Sequence, residues 1–93
     1  MSRCEDRLAA LGLTLPPVAT PLAAYVPAVQ TGSLVFTAGQ LPLVDGAIAH
    51  TGKVDVEVTV EQGYDLARIC VLNALAAVKA EIGDLDQIGR AHV

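Results

Sequence analysis

The sequence predicts an α+β domain, and three features predict it. Short apolar and alternating runs between Tyr25 and Ile48 are punctuated by Gly at two-residue turns. One long stretch, Val60 to Ile82, carries apolar residues at helical spacing. That stretch begins with a capping signal and ends on Gly83.

In chain order, Ser2-x-x-Glu5 reads as a capping box ahead of Leu8, Ala9 and Leu11, with Gly12 as the stop. A short helix is expected over 3–11. Leu13 to Ala23 contains Pro16, Pro17 and Pro21, which exclude helix and central strand and leave an extended connector packed on something. Tyr25–Gln30 and Ser33–Thr37 are strand candidates, joined by a tight turn at Thr31-Gly32. Leu34-Val35-Phe36 is a continuous apolar run, the pattern of a strand buried on both faces. Pro42 bars further central pairing, and Leu43 to Ile48 reads as a second, smaller hairpin around Asp45-Gly46.

Thr59-x-x-Gln62 is a second capping box. After it, Leu66, Ile69, Cys70, Asn73, Ala77 and Ala80 share one helical face. The run Ala74 to Val78 combines high helix propensity with a small profile, so the helix can lie close against a sheet. Asp84 to Gln87 is turn-like. A two-strand hairpin neither covers so long a helix nor stands alone. A β-β-α unit ordinarily feeds another strand, and none follows. The domain is therefore expected to be incomplete, and also poorly soluble, because the helix would expose an apolar face and the hairpin a bare edge.

Bulk properties narrow the function. The 93 residues allow one small domain, which buries only about 60–65% of its unfolded surface. Aromatics are 3%, so the core must come from Ala, Val, Leu and Ile. Net charge is −4, and the six basic residues are scattered rather than clustered. That argues against nucleic acid as a partner. The N-terminus carries Glu5 and Asp6 where a signal peptide would be basic and then apolar. No apolar run is long enough to span a membrane, and two cysteines without metal or disulfide spacing read as reduced thiols. These features predict a cytoplasmic protein with no membrane partner.

Few residues offer chemistry. His50 and His92 have no ligand-spaced partners, so neither a metal nor another cofactor is expected. Cys70 sits mid-helix on the apolar side and reads as a buried thiol, and Cys4 as an exposed one. Asp55, Glu57 and Glu61 most simply complement the positive end of the long helix. Tyr25 is either a packing residue with a bonded hydroxyl or a pocket wall. Gly39 serves either a tight bend or a close backbone approach to a ligand. Pattern alone leaves both open.

Tyr25-Val26-Pro27-Ala28-Val29, followed by Gly32-Ser33-Leu34-Val35-Phe36-Thr37-Ala38-Gly39-Gln40-Leu41-Pro42, resembles the opening signature of the RidA (YjgF-like) family. Gly52-Lys53-Val54, Ala67-Arg68 and Leu72-Asn73-Ala74-Leu75 fit the same pattern. The resemblance spans roughly residues 20–87 and implies a chorismate-mutase-like fold, here truncated after its first long helix. By this reading residues 1–23 form a helix and connector, 24–87 a partial domain, and 88–93 a tail foreign to it.

The resemblance further implies a homotrimer with clefts between subunits, acting on small imino or enamino acids and releasing 2-keto acids and ammonia. Tyr25 matches the pocket tyrosine and Gly39 the glycine whose backbone faces the substrate. Ala38 stands where many deaminases have Ser. The implied carboxylate-binding Arg and acid/base Glu follow the long helix in the family pattern, and no residue of this chain matches them. No catalytic residue is therefore expected within it. The alternatives are a non-catalytic trimeric metabolite binder, favoured by Ala38, and an endoribonuclease-type translation inhibitor, disfavoured by the charge.

Overall fold

The computed structural model describes residues 2–19 and 24–91. Pro21 of the connector, and His92 with Val93 of the tail, lie outside the described residues. The elements run α1 (Arg3–Ala10), β1 (Ala28–Thr31), β2 (Leu34–Thr37), β3 (Leu43–Val44), β4 (Ala47–Ile48), α2 (Val60–Ile82) and a 3-10 turn (Leu85–Gln87).

Ser2 caps α1, its hydroxyl accepting from the Glu5 N–H at 3.0 Å. The reciprocal half of the expected capping box is replaced, because the Glu5 carboxylate pairs with Lys79 Nζ at 2.6 Å on α2. At the other end Gly12 takes φ +76. Its N–H donates to Ala9 O, and that of Leu13 to Leu8 O. This is a Schellman closure, and it needs a residue tolerant of positive φ.

The first hairpin is shorter than expected. The strand read as 25–30 begins at Ala28, because Pro27 has no N–H to donate. Its carbonyl still accepts from Ala38 N–H at 2.9 Å, one step beyond the Ala28–Thr37 pair. The turn residues are Gly32-Ser33, with positive φ only at Gly32, as in a II′ turn. The second hairpin follows the sequence reading: Leu43 pairs Ile48, Val44 pairs Ala47, and Asp45 and Gly46 both take positive φ, as a I′ turn demands. The two hairpins form separate two-stranded sheets.

α2 has the predicted bounds, with the reciprocal Thr59–Gln62 box formed. It packs against β1, β2, β3 and the 3-10 turn. The 3-10 turn also touches α1, where the Asp86 carboxylate accepts from the N–H groups of Arg3 (2.8 Å) and Cys4 (2.9 Å). Thus the first turn of α1 is capped by a residue 83 positions away.

Among the described residues the fully buried apolar side chains are Val58, Ala76, Ala77 and Leu85. The expectation that Leu34-Val35-Phe36 is buried on both faces is corrected. Val35 is half-buried, whereas Leu34 and Phe36 are 57% and 55% exposed. Alternation places Leu34, Phe36 and Val29 on one face of a two-stranded sheet that α2 covers only on the other. Cys70 is half-buried rather than fully buried. Val60, Tyr64 and Val71 leave an apolar strip of α2 exposed, as the sequence predicted.

Candidate functional site

Ala38 and Gly39 follow β2 at the end of the first hairpin remote from its turn, and Tyr25 stands three residues before β1 begins. The Ala38 N–H to Pro27 O bond sets Ala38 opposite Pro27, with Tyr25 two residues before Pro27 and Gly39 directly after Ala38. Tyr25 is 44% exposed, Gly39 is exposed and Ala38 is half-buried. Period-two alternation puts Val29 and Phe36 on the open side of the sheet, while Tyr25 precedes the strand.

Gly39 does not occupy the left-handed region, and a Cβ built on it meets nothing within 4 Å among the described residues. The tight-bend reading of this glycine is therefore not needed. A Gly at so open a position leaves room for something approaching the backbone from outside.

The segment leaving β2 is held at three points. The first is the Ala38–Pro27 bond. The second is the Gln40 amide, which donates to Ala38 O at 2.9 Å. The third is Asn73, near the middle of α2 and 3% exposed, whose Nδ2 donates to Leu41 O and Leu43 O, each at 3.1 Å. Between those carbonyls Pro42 makes a three-residue turn, with Leu43 N–H on Leu41 O at 2.8 Å. Sequence reasoning placed Asn73 only as a face position. The available signal was a lone amide on an otherwise apolar stripe, between Cys70 and Ala77.

A cavity of about 460 Å³ lies elsewhere, between the Pro16-Pro17 connector, the β3–β4 turn and Ile69, Leu72 and Asn73 of α2. None of Tyr25, Ala38 and Gly39 lines it.

Titration shifts fall away from the hairpin end. Hydrogen bonds from the Arg3 and Cys4 N–H groups hold the Asp86 carboxyl at about 2. That carboxylate, by its hydrogen bond to the thiol, pushes Cys4 up, and burial pushes Cys70 up. His50 is exposed in a loop, and among the described residues no three His, Cys, Asp or Glu side chains group as metal ligands. Among them also, no helix is long and apolar enough to cross a membrane.

Comparison with known proteins agrees with this architecture. Residues 5–92 match the family model described as "YjgF/chorismate_mutase-like, putative endoribonuclease". Protein TCP17 of Trypanosoma cruzi is 36% identical over 88 residues, covering 95% of this chain and 55% of that protein. A crystal structure of a "putative endoribonuclease" from Shewanella oneidensis superposes with TM-score 0.88 at 39% identity, covering 95% of this chain and 58% of the other. A protein of unknown function from Agrobacterium tumefaciens superposes with TM-score 0.80 at 47% identity, covering 92% and 52%. The chain thus spans a little over half the length of these relatives. With its β-β-α order and these superpositions, it has the chorismate-mutase-like fold and belongs to the YjgF/chorismate-mutase-like family.

Proposed function

We propose that this chain forms one wall of the substrate cleft of an enzyme that hydrolyses reactive 2-imino and enamino acids. Water adds to the electrophilic carbon of the C=N group, the C–N bond breaks, and a 2-keto acid and ammonia leave. The observation that carries this reading is Gly39: an exposed glycine that needs no special backbone angle and faces open space. It lies at the same sheet end as the half-exposed Tyr25. The pair supplies an aromatic wall and an approachable backbone.

Neither residue supplies charge. The substrate's carboxylate calls for a guanidinium, which binds it bidentately, and the proton transfers call for a positioned acid/base. By the RidA resemblance these are an Arg and a Glu from the segment that follows the α2 equivalent, in clefts between the subunits of a homotrimer. On this reading the 93 residues alone are inactive, the working form is a trimer of the complete gene product, and its compartment is the cytoplasm, where Cys4 and Cys70 stay reduced. The catalysis proposed here assigns no role to a cofactor.

Ala38 favours a second reading, a trimeric small-metabolite binder without turnover, because a deaminase serine would stand at that position. Ammonia release from a freshly generated 2-imino acid separates the two. Release by the complete gene product, with none from the 93-residue chain, supports the deaminase. Binding without release by the complete product selects the binder. Equal release by the 93 residues alone would overturn the division of labour argued here.

A further inference from the structure

We infer that Asn73 is a positioning residue for the substrate end of the cleft, acting through the backbone of residues 39–43. This rests on the cleft reading above. Past Ala38 the chain leaves the β1–β2 ladder; Leu41 O accepts from Leu43 N–H within its own turn, and Leu43 then opens the second hairpin opposite Ile48. One buried amide supplies the Leu41 and Leu43 carbonyls each with a donor, at equal distances of 3.1 Å. Each hydrogen of the Asn73 NH2 group is committed to a different carbonyl, so the amide plane fixes the separation and tilt of two peptide units flanking Pro42.

The segment between the Ala38–Pro27 bond and the Asn73 fork is short, and Gly39 lies within it. Gly39 has no Cβ to pack, and among the described residues beyond its two neighbours nothing stands within 4 Å of where one would be. Its backbone position is therefore inherited from the anchors around it: the Ala38–Pro27 bond, the Gln40 amide on Ala38 O, and the Asn73 fork. Asn73 is on the helix that lies under the hairpin, so it ties the substrate-facing backbone to the most regular element of the fold.

The test uses the complete gene product carrying Asn73→Ser, which retains one short donor in place of two. Two readouts are taken well below the unfolding temperature: steady-state deamination of a 2-imino acid, and backbone amide chemical shifts. A misplacement of about 1 Å at a site can cost up to about 100-fold in rate. The expected result is a rise in KM of about 10-fold or more, with amide shifts moved at Gly39, Gln40, Leu41 and Leu43 and unmoved in α1 and at Asp84 to Gln87.

A lower unfolding temperature with unchanged KM and unchanged Gly39 shifts would mean that Asn73 only stabilises the fold, and would overturn the inference. If Asn73→Ser does not fold, Asn73→Gln keeps both amide hydrogens on a longer arm. It must then move the same shifts and raise KM, and unmoved shifts at Gly39 refute the proposal. Wild-type protein without deamination defeats the cleft reading instead. In that case the shift readout alone decides whether Asn73 sets the position of Gly39.

Discussion

Replacing Leu85 by Ala tests where the core of this chain sits. Leu85 is 1% exposed and lies in the 3-10 turn that touches both helices. Only Val58 is another fully buried side chain of comparable size among the described residues. Truncation removes the transfer free energy of the lost carbons and leaves a cavity, together about 2–5 kcal/mol. A typical small domain holds about 5–15 kcal/mol in all. At about 4–8 °C per kcal/mol for this size, a loss of about 3 kcal/mol lowers the midpoint by about 12–24 °C. Phe36→Ala is the control. It removes a larger side chain, but one already 55% in water and leaving no enclosed void, so it should cost under about 1 kcal/mol. Thermal unfolding followed by circular dichroism at 222 nm compares the two. Equal losses, or a Leu85→Ala shift below about 4 °C, would place the core under the hairpin's open face instead and refute the reasoning.

Three further outcomes follow from local geometry. The Asp86 carboxyl is held down to about 2 from an ordinary 3.8, first by the Arg3 N–H and next by that of Cys4. A depressed carboxylate contributes stability that is fully present above its unfolded value and fades as pH falls. Protection of the Arg3 and Cys4 amides should therefore persist down to about pH 4 and be lost between about 4 and 2. Asp86→Asn should remove that pH dependence, as hydrogen exchange will report. Thr59→Ala deletes the acceptor for Gln62 N–H at 3.0 Å and should cost about 1 kcal/mol by urea titration. Gly52→Ala should be the most damaging of the glycine substitutions. It combines φ +137 with a Cβ 2.8 Å from that of Glu57, whereas Gly46→Ala, with φ +83 and open space, is penalised only through its backbone. The order of their unfolding midpoints checks this.

What the sequence made legible was what local chemistry dictates. The Thr59–Gln62 box and Gly83 bound α2 as expected, and Asp45-Gly46 makes the I′ turn its composition demands. The misses share a cause, which is that the deciding partner is distant in sequence. Glu5 completes no capping box because Lys79, on another helix, takes its carboxylate. The N–H groups of Arg3 and Cys4 find Asp86, which no reading of the first ten residues could supply. Leu34-Val35-Phe36 has the composition of a doubly covered strand, but in this chain only one of its two faces meets α2. At the candidate site, Tyr25 and Gly39 stood out by residue type and by the resemblance. Asn73 did not stand out, because what it does is visible only from the two carbonyls it bridges.

The name shared by the matching family and one structural relative raises RNA as a substrate, and charge placement bears on that. An RNA-cleaving surface needs Lys and Arg gathered where the backbone phosphates lie, since neutralising them supplies most of the affinity. This chain carries −4 overall. One of its six basic side chains is already engaged, Lys79 with Glu5 at 2.6 Å. Tyr25 is flanked by Ala24 and Val26, and Gly39 by Ala38 and Gln40, with no cation adjacent in sequence to either. On the cleft reading proposed above, an aromatic wall suits a small planar imine better than a polyanion. The deaminase proposed above needs only one guanidinium, a fixed charge matched to one carboxylate. Deamination governed by that single contact should change little with added salt, while phosphate-driven RNA binding would fall steeply. Activity of the complete gene product measured from 50 to 500 mM salt therefore discriminates between the two chemistries. A loss of several orders of magnitude over that range would refute the single-contact reading and favour a polyanionic substrate.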